Sequence, residues 1–300
     1  MLRDQNLAPL ILLYLWYIIV GPGKKAAASL SWTPYMRRWS LWKYLAAYFP
    51  VRIHKTVDLD PSKSYVFGLH PHGVLTISVW ATFASDGAGF PSLFPGIDMH
   101  PATLNWNFRT PIARELMLLL GFIDASAPTL RHVLKAPGRA VLLAIGGAQE
   151  ALLAWPGTYD IILNKRKGFV KIALATGASL VPVLSFGEND VVTVVNTCHA
   201  GWARSFQRFT KKAAGFVIPL VYGEGLFGLP FGILPHRVPI TTVVGRPIEV
   251  PKFKGDLKSE EGQALVERYH AMFVAGLKQV WEEHKEACAP QRTRSLRIVQ

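Results

Sequence analysis

Two cysteines, Cys198 and Cys288, stand in 300 residues. They are too few for a disulfide framework, and a reducing compartment is the default. Charge is sparse as well: 18% of residues are Asp, Glu, Lys or Arg and half are hydrophobic, where ordinary soluble domains carry about a quarter charged. Negative charge is the scarcer sign, with 20 acidic residues against 33 basic ones and a net charge of +13. That imbalance implies an anionic partner. Nucleic acid is disfavoured, because no basic helix, zinc-ligand spacing or RNA-binding motif accompanies the charge. Anionic lipid or a phosphate-bearing cofactor fits better. No serine sits in a nucleophile-elbow context. Repeats and convincing linkers are also missing, so a single catalytic unit is expected.

What is present begins with an apolar N-terminal run. Leu7–Val20 has 14 residues, short against the ~20 of a spanning helix. With its uncharged flanks it is expected to act as a retained membrane anchor, crossing the bilayer or turning back at Gly21-Pro22-Gly23. The alternative is a cleaved signal peptide ending at Ala26-Ala27-Ala28, which Lys24-Lys25 argues against. Thr33-Pro34 then has the form of a helix cap and first helical residue. From there to Phe49, Trp39, Trp42 and Leu45 alternate with Arg37, Arg38 and Lys43, the pattern of an interfacial amphipathic helix. A surface helix packed on the domain is the plainer alternative. The expected organisation is an anchor and interfacial helix over 1–50, a catalytic domain over 51–286 and a solvated polar tail over 287–300.

Within the domain, strand and helix patterns alternate. Strands are predicted at Tyr65–Leu69, Ala102–Asn107, Ala140–Ile145, Ser179–Phe186 and Ile240–Val244. Helices are predicted at Val74–Ala84, Ile112–Leu120, Gly168–Thr176 and Leu265–Lys285. This order predicts an α/β fold with a mainly parallel sheet flanked by helices. Phe216–Pro235 is apolar but broken by prolines and glycines, so it reads as a buried loop or a shallow lobe facing lipid.

Chemistry is expected where strands end in polar residues. The first such place is His70-Pro71-His72-Gly73. The proline biases His70 towards extended backbone and the glycine permits close approach. Histidine is the usual general base near neutral pH. Two histidines are also potential metal ligands, but no Cys or carboxylate lies at a spacing that completes a tetrahedral set; no metal is expected. The second place is Gly146-Gly147 with Glu150, where backbone N–H groups can face a ligand at a helix start. The third is Ser185 to Asn189, with Glu188. Either glutamate is a candidate to orient a histidine, and either could simply cap a helix. Lys165, Arg166 and Lys171, in a basic run just ahead of a helix, suit phosphate, as does Arg109. A solvated face is the alternative for such a run.

Taken together, His70-Pro-His-Gly73, Asn107-Phe-Arg109, Gly146-Gly147-x-x-Glu150, Arg166-Lys-Gly-Phe-Val-Lys171 and Phe186-Gly-Glu-Asn189 resemble the signatures of the type-2 diacylglycerol acyltransferase family. Tyr48-Phe-Pro50, Ile240 to Gly245 with Pro247, and Tyr269-His270 continue the resemblance from about Trp39 to Lys285. It implies a glycerolipid acyltransferase fold, acyl-CoA as co-substrate with no bound cofactor, and diacylglycerol as acceptor. A monoacylglycerol or a wax alcohol is the alternative acceptor. It also implies an endoplasmic reticulum or lipid-droplet membrane, with a homo-oligomer possible. On this reading His72 is the base, His70 and Glu150 orient it, and Lys165, Arg166, Lys171, Arg109, Gly146 and Gly147 bind the acyl-CoA. In related glycerolipid acyltransferases an Asp follows the His by five residues; here those positions hold Leu75 and Ile77. The orienting carboxylate is therefore expected from elsewhere, Glu150 first and Glu188 second. Two other classes stay open: a non-catalytic lipid-binding relative, and a metal-dependent lipid hydrolase.

Overall fold

The computed structural model describes residues 7–21, 34–195, 210, 217, 219–225 and 231–299. The Ala26–Ala28 cleavage reading, Thr33, Cys198 and much of the Phe216–Pro235 lobe lie outside these residues. The strands are β1 (Arg52–Lys55), β2 (Tyr65–His70), β3 (Asp98–Thr103), β4 (Ile123–Asp124), β5 (Arg139–Ala144), β6 (Asp160–Ile161), β7 (Ser179–Phe186), β8 (Thr193–Val194), β9 (Val221–Tyr222), β10 (Thr241–Val244) and β11 (Arg297–Ile298). The α-helices are α1 (Ala8–Ile19), α2 (Pro34–Arg37), α3 (Ser40–Tyr48), α4 (Phe90–Leu93), α5 (Ala113–Leu119), α6 (Ala127–Val133), α7 (Gly147–Ala151), α8 (Gly168–Thr176) and α9 (Glu260–Cys288).

Seven strands form one mixed sheet in the order β1-β10-β7-β2-β5-β3-β4. Every neighbouring pair is parallel except β10 against β7. Strands β2 and β7 are buried along their whole length, as expected of parallel strands covered on both faces. One face packs Val266, Phe273, Leu277 and Trp281 of α9 with Phe169 and Ile172 of α8. The other packs Phe67, Phe83, Phe90 and Phe94. Each such ring, fully buried, contributes about 2–3 kcal/mol.

Three expectations are corrected. The N-terminal membrane segment is not supported: among the described residues no helix is long and apolar enough to cross a membrane. Helix α1 has 12 residues, about 18 Å at ~1.5 Å per residue, against a hydrocarbon core of about 30 Å. It is tied to the domain instead: Ile18 is buried, the Tyr14 hydroxyl donates to Glu115, and the Arg114 guanidinium lies 5.7 Å from the Tyr17 ring. Next, the helix predicted from Val74 begins only at Ile77, so His70 closes β2 and His72 sits in the turn that precedes the helix. Last, the tail is not merely solvated. It supplies β11, which pairs in parallel with β6.

Candidate active site

The sheet order explains the site. Strand β2 lies between β5 and β7, and all three run parallel, so their carboxyl ends open on one edge. Strand β2 delivers His70 and His72, β5 leads through a glycine turn to Glu150 on α7, and β7 leads to Glu188. Residues about 80 and 110 positions apart thereby meet.

Glu150, 1% exposed, holds the centre. Its carboxylate lies 3.0 Å from His70 Nδ1, and accepts the backbone N–H of His72 at 2.5 Å and that of Ile162 at 2.8 Å. A carboxylate on Nδ1 fixes that nitrogen as the donor and leaves Nε2 with the lone pair. Nε2 of His70 is buried without a hydrogen-bond partner among the described residues. His72 is half-buried, and its Nδ1 lies 2.8 Å from the Gly73 carbonyl oxygen. That contact assigns its proton to Nδ1 too, so Nε2 is the free acceptor. The His70–Pro71 peptide is cis.

The glycines make room for these carboxylates. A Cβ on Gly146 would stand 2.1 Å from Glu150 Oε2, so only glycine lets the Glu150 side chain fold back over the turn. A Cβ on Gly147, whose φ is +60°, would meet nothing within 4 Å among the described residues, so it is the backbone conformation that favours glycine there. A Cβ on Gly73, whose φ is +63°, would strike Glu188 at 2.5 Å. Glu188 takes the backbone N–H groups of Ile77 (2.8 Å) and Ser78 (2.9 Å), filling two of the donors a helix start leaves open. Burial pushes its carboxyl up to about 7 against the pull of those hydrogen bonds. Glu150 and Glu188 thus secure opposite ends of the histidine turn.

Lys165 and Arg166, with Lys167, line a cavity of about 410 Å³ bounded by Ala144 and Ile145 at the end of β5. Arg166 donates to Gln149, the neighbour of Glu150, at 2.5 Å. The positive pocket therefore lies beside the histidines' carboxylate. Arg109 and Lys171 are exposed and do not line this cavity. Among the described residues no three His, Cys, Asp or Glu side chains converge as a metal-binding group. Lys167, Gln149 and the Ile162 N–H were not singled out from the sequence. Lys167 sits inside the basic run and was within reach, whereas a backbone donor carries no sequence signal.

Comparison with known proteins matches residues 2–299 to the diacylglycerol acyltransferase family model. Diacylglycerol O-acyltransferase 1 of Schizosaccharomyces pombe is 38% identical, with 97% of this chain and 83% of the relative covered. Diacylglycerol O-acyltransferase 2 of Danio rerio is 42% identical over 88% of this chain and 72% of the relative. The 2-acylglycerol O-acyltransferase 1 of Bos taurus is 40% identical over 84% and 74%. No solved structure matches. A family model that spans nearly the whole chain, with relatives matched over most of their own length, settles membership: this chain belongs to the diacylglycerol acyltransferase family.

Proposed function

We propose that the chain transfers a fatty acyl group from acyl-CoA to diacylglycerol, giving triacylglycerol and free coenzyme A. The observation that carries the reaction is the Glu150 carboxylate, which binds the His70 ring and the His72 backbone across adjacent strand ends. His72 is the base: its Nε2 is the accepting nitrogen and, unlike His70, it is only half-buried. It takes the acceptor's hydroxyl proton as that oxygen attacks the thioester carbonyl. The C–S bond then breaks, and the proton passes from the imidazolium to the departing thiolate. His70 with Glu150 holds the turn in place, and the Gly146–Gly147 backbone faces the developing oxyanion. Lys165 and Arg166 bind the phosphates of coenzyme A, with Arg109 and Lys171 contributing long-range attraction.

The acceptor is drawn from a lipid surface of the endoplasmic reticulum or a lipid droplet. Exposed Tyr35, Trp39 and Tyr44, with the basic charge, support contact with such a surface. The bovine relative's name, a 2-acylglycerol O-acyltransferase, supports a monoacylglycerol as a second acceptor.

The test is labelled oleoyl-CoA with diacylglycerol, monoacylglycerol and a fatty alcohol offered in parallel, for the parent, His72→Ala and Glu150→Gln. Labelled triacylglycerol from the parent and a fall of at least about a hundredfold in both variants is the expected result. Full transfer by His72→Ala would remove it as the base. No product from any acceptor with folded parent would leave only the lipid-binding reading.

A further inference from the structure

Strand β6 lies outside the main sheet, and among the described residues its only strand partner is β11. The segment that contains it runs from Gly157 to Ile162 and is stitched along one side by the tail. Thr293 N–H donates to the Gly157 carbonyl at 2.8 Å, Arg297 N–H to Tyr159 at 3.0 Å, and Val299 N–H to Ile161 at 2.9 Å. Side chains lock the same contact. Asp160, 4% exposed, receives Arg297 through both Nε (2.8 Å) and Nη2 (2.9 Å), and Arg294 through Nη2 at 2.5 Å. A forked guanidinium on a buried carboxylate fixes direction as well as distance.

The segment ends at Ile162, whose N–H donates to Glu150. Val299 donates to the Ile161 carbonyl, so the tail and the Glu150 carboxylate grip the two ends of one peptide group. Leu163, the next residue, is anchored independently, its carbonyl facing His270 Nε2 of α9 at 3.0 Å. Loosening the tail therefore bears on Ile162 and stops short of the basic run that follows.

From this arrangement we propose that residues 293–299 are a positioning element for catalysis. Asp160, Arg294 and Arg297 set the place of the Glu150 carboxylate through the Ile162 N–H. The inference rests on Glu150 acting with the histidines, as proposed above. A carboxylate displaced by an ångström leaves its histidine misaligned, an error that costs up to about a hundredfold in rate.

The experiment compares the parent, Asp160→Asn, the double variant Arg294→Ala/Arg297→Ala, Arg297→Lys and Glu150→Gln. Each is measured for kcat, KM for acyl-CoA, thermal midpoint and hydrogen exchange. Expected is a fall in kcat of about tenfold for Asp160→Asn and for the double variant, with KM for acyl-CoA within about twofold. Exchange should quicken over 293–299, whose N–H groups donate to the segment, and over 157–162, and not elsewhere; Arg297→Lys should keep part of the activity. A folded double variant with parental kcat overturns the proposal. So does a loss of activity that only follows the unfolded fraction. Should the double variant fail to fold, Asp160→Asn decides by the same criteria. Glu150→Gln separates the two readings: if it is inactive while the tail variants are unaffected, the tail inference alone fails. If it is fully active, the catalytic role of Glu150 fails and the tail's role with it.

Discussion

At the scale of single residues, the site depends on two buried glutamates with different surroundings. Glu150 meets an imidazole and two backbone donors, whereas Glu188 accepts the backbone N–H groups of Ile77 and Ser78 and is pushed up to about 7 by burial. That shift is a statement about stability. The folded-state pKa of Glu188 lies above the ordinary carboxylate value near 4.5. Its contribution is therefore complete below about pH 4.5 and is lost as the pH rises through about 7, on the order of 3 kcal/mol. Thermal midpoints of the parent and Glu188→Gln, taken from pH 5 to pH 8, should show this. The parent should lose stability relative to the variant with rising pH, and parallel curves would mean that Glu188 titrates normally. Sequence reasoning found both glutamates because each follows a strand and a glycine. The strand-end pattern alone does not rank them, since burial and partners decide which carboxylate meets a histidine. The family resemblance put Glu150 first, and it is Glu150 that meets His70.

At the scale of elements, the basic run is the clearest case of position giving charge a purpose. Helix α8 begins at Gly168 and the run ends against it, while the cavity beside it opens onto the end of β5. Arg166→Ala removes one of the cavity's cations together with the bond to Gln149. Apparent KM for acyl-CoA should rise about tenfold with kcat nearly unchanged, the signature of lost uniform binding. An unchanged KM would show that coenzyme A phosphates bind elsewhere. The strands and helices themselves were largely legible. Helix α8 and strand β7 match their predicted limits, because apolar runs bounded by glycine leave little choice. Strand β3 was misplaced: it runs Asp98–Thr103 rather than Ala102–Asn107, because Asp98, His100 and Pro101 break the alternation that marks a strand.

At the scale of the whole molecule, a net charge of +13 should draw an anionic co-substrate from solution, a long-range effect that salt screens. Apparent KM for acyl-CoA should increase severalfold between about 0.05 and 0.5 M monovalent salt, where the Debye length shrinks from about 14 to about 4 Å. A flat response would confine electrostatics to the pocket. The alternation of strands and helices determined the α/β class, and the local motifs picked out the candidate site residues, because periodicity and strand-end polarity are written in neighbouring positions. The tertiary structure decided what required distance in sequence to close. It set Glu150 and Glu188 on opposite ends of one turn and tied Arg294 and Arg297 to Asp160 across some 135 residues. It also seated Ile18 on the domain, leaving a helix too short to cross a bilayer. Such contacts depend on the order of strands in the sheet and on which surfaces pack together, neither of which local periodicity specifies.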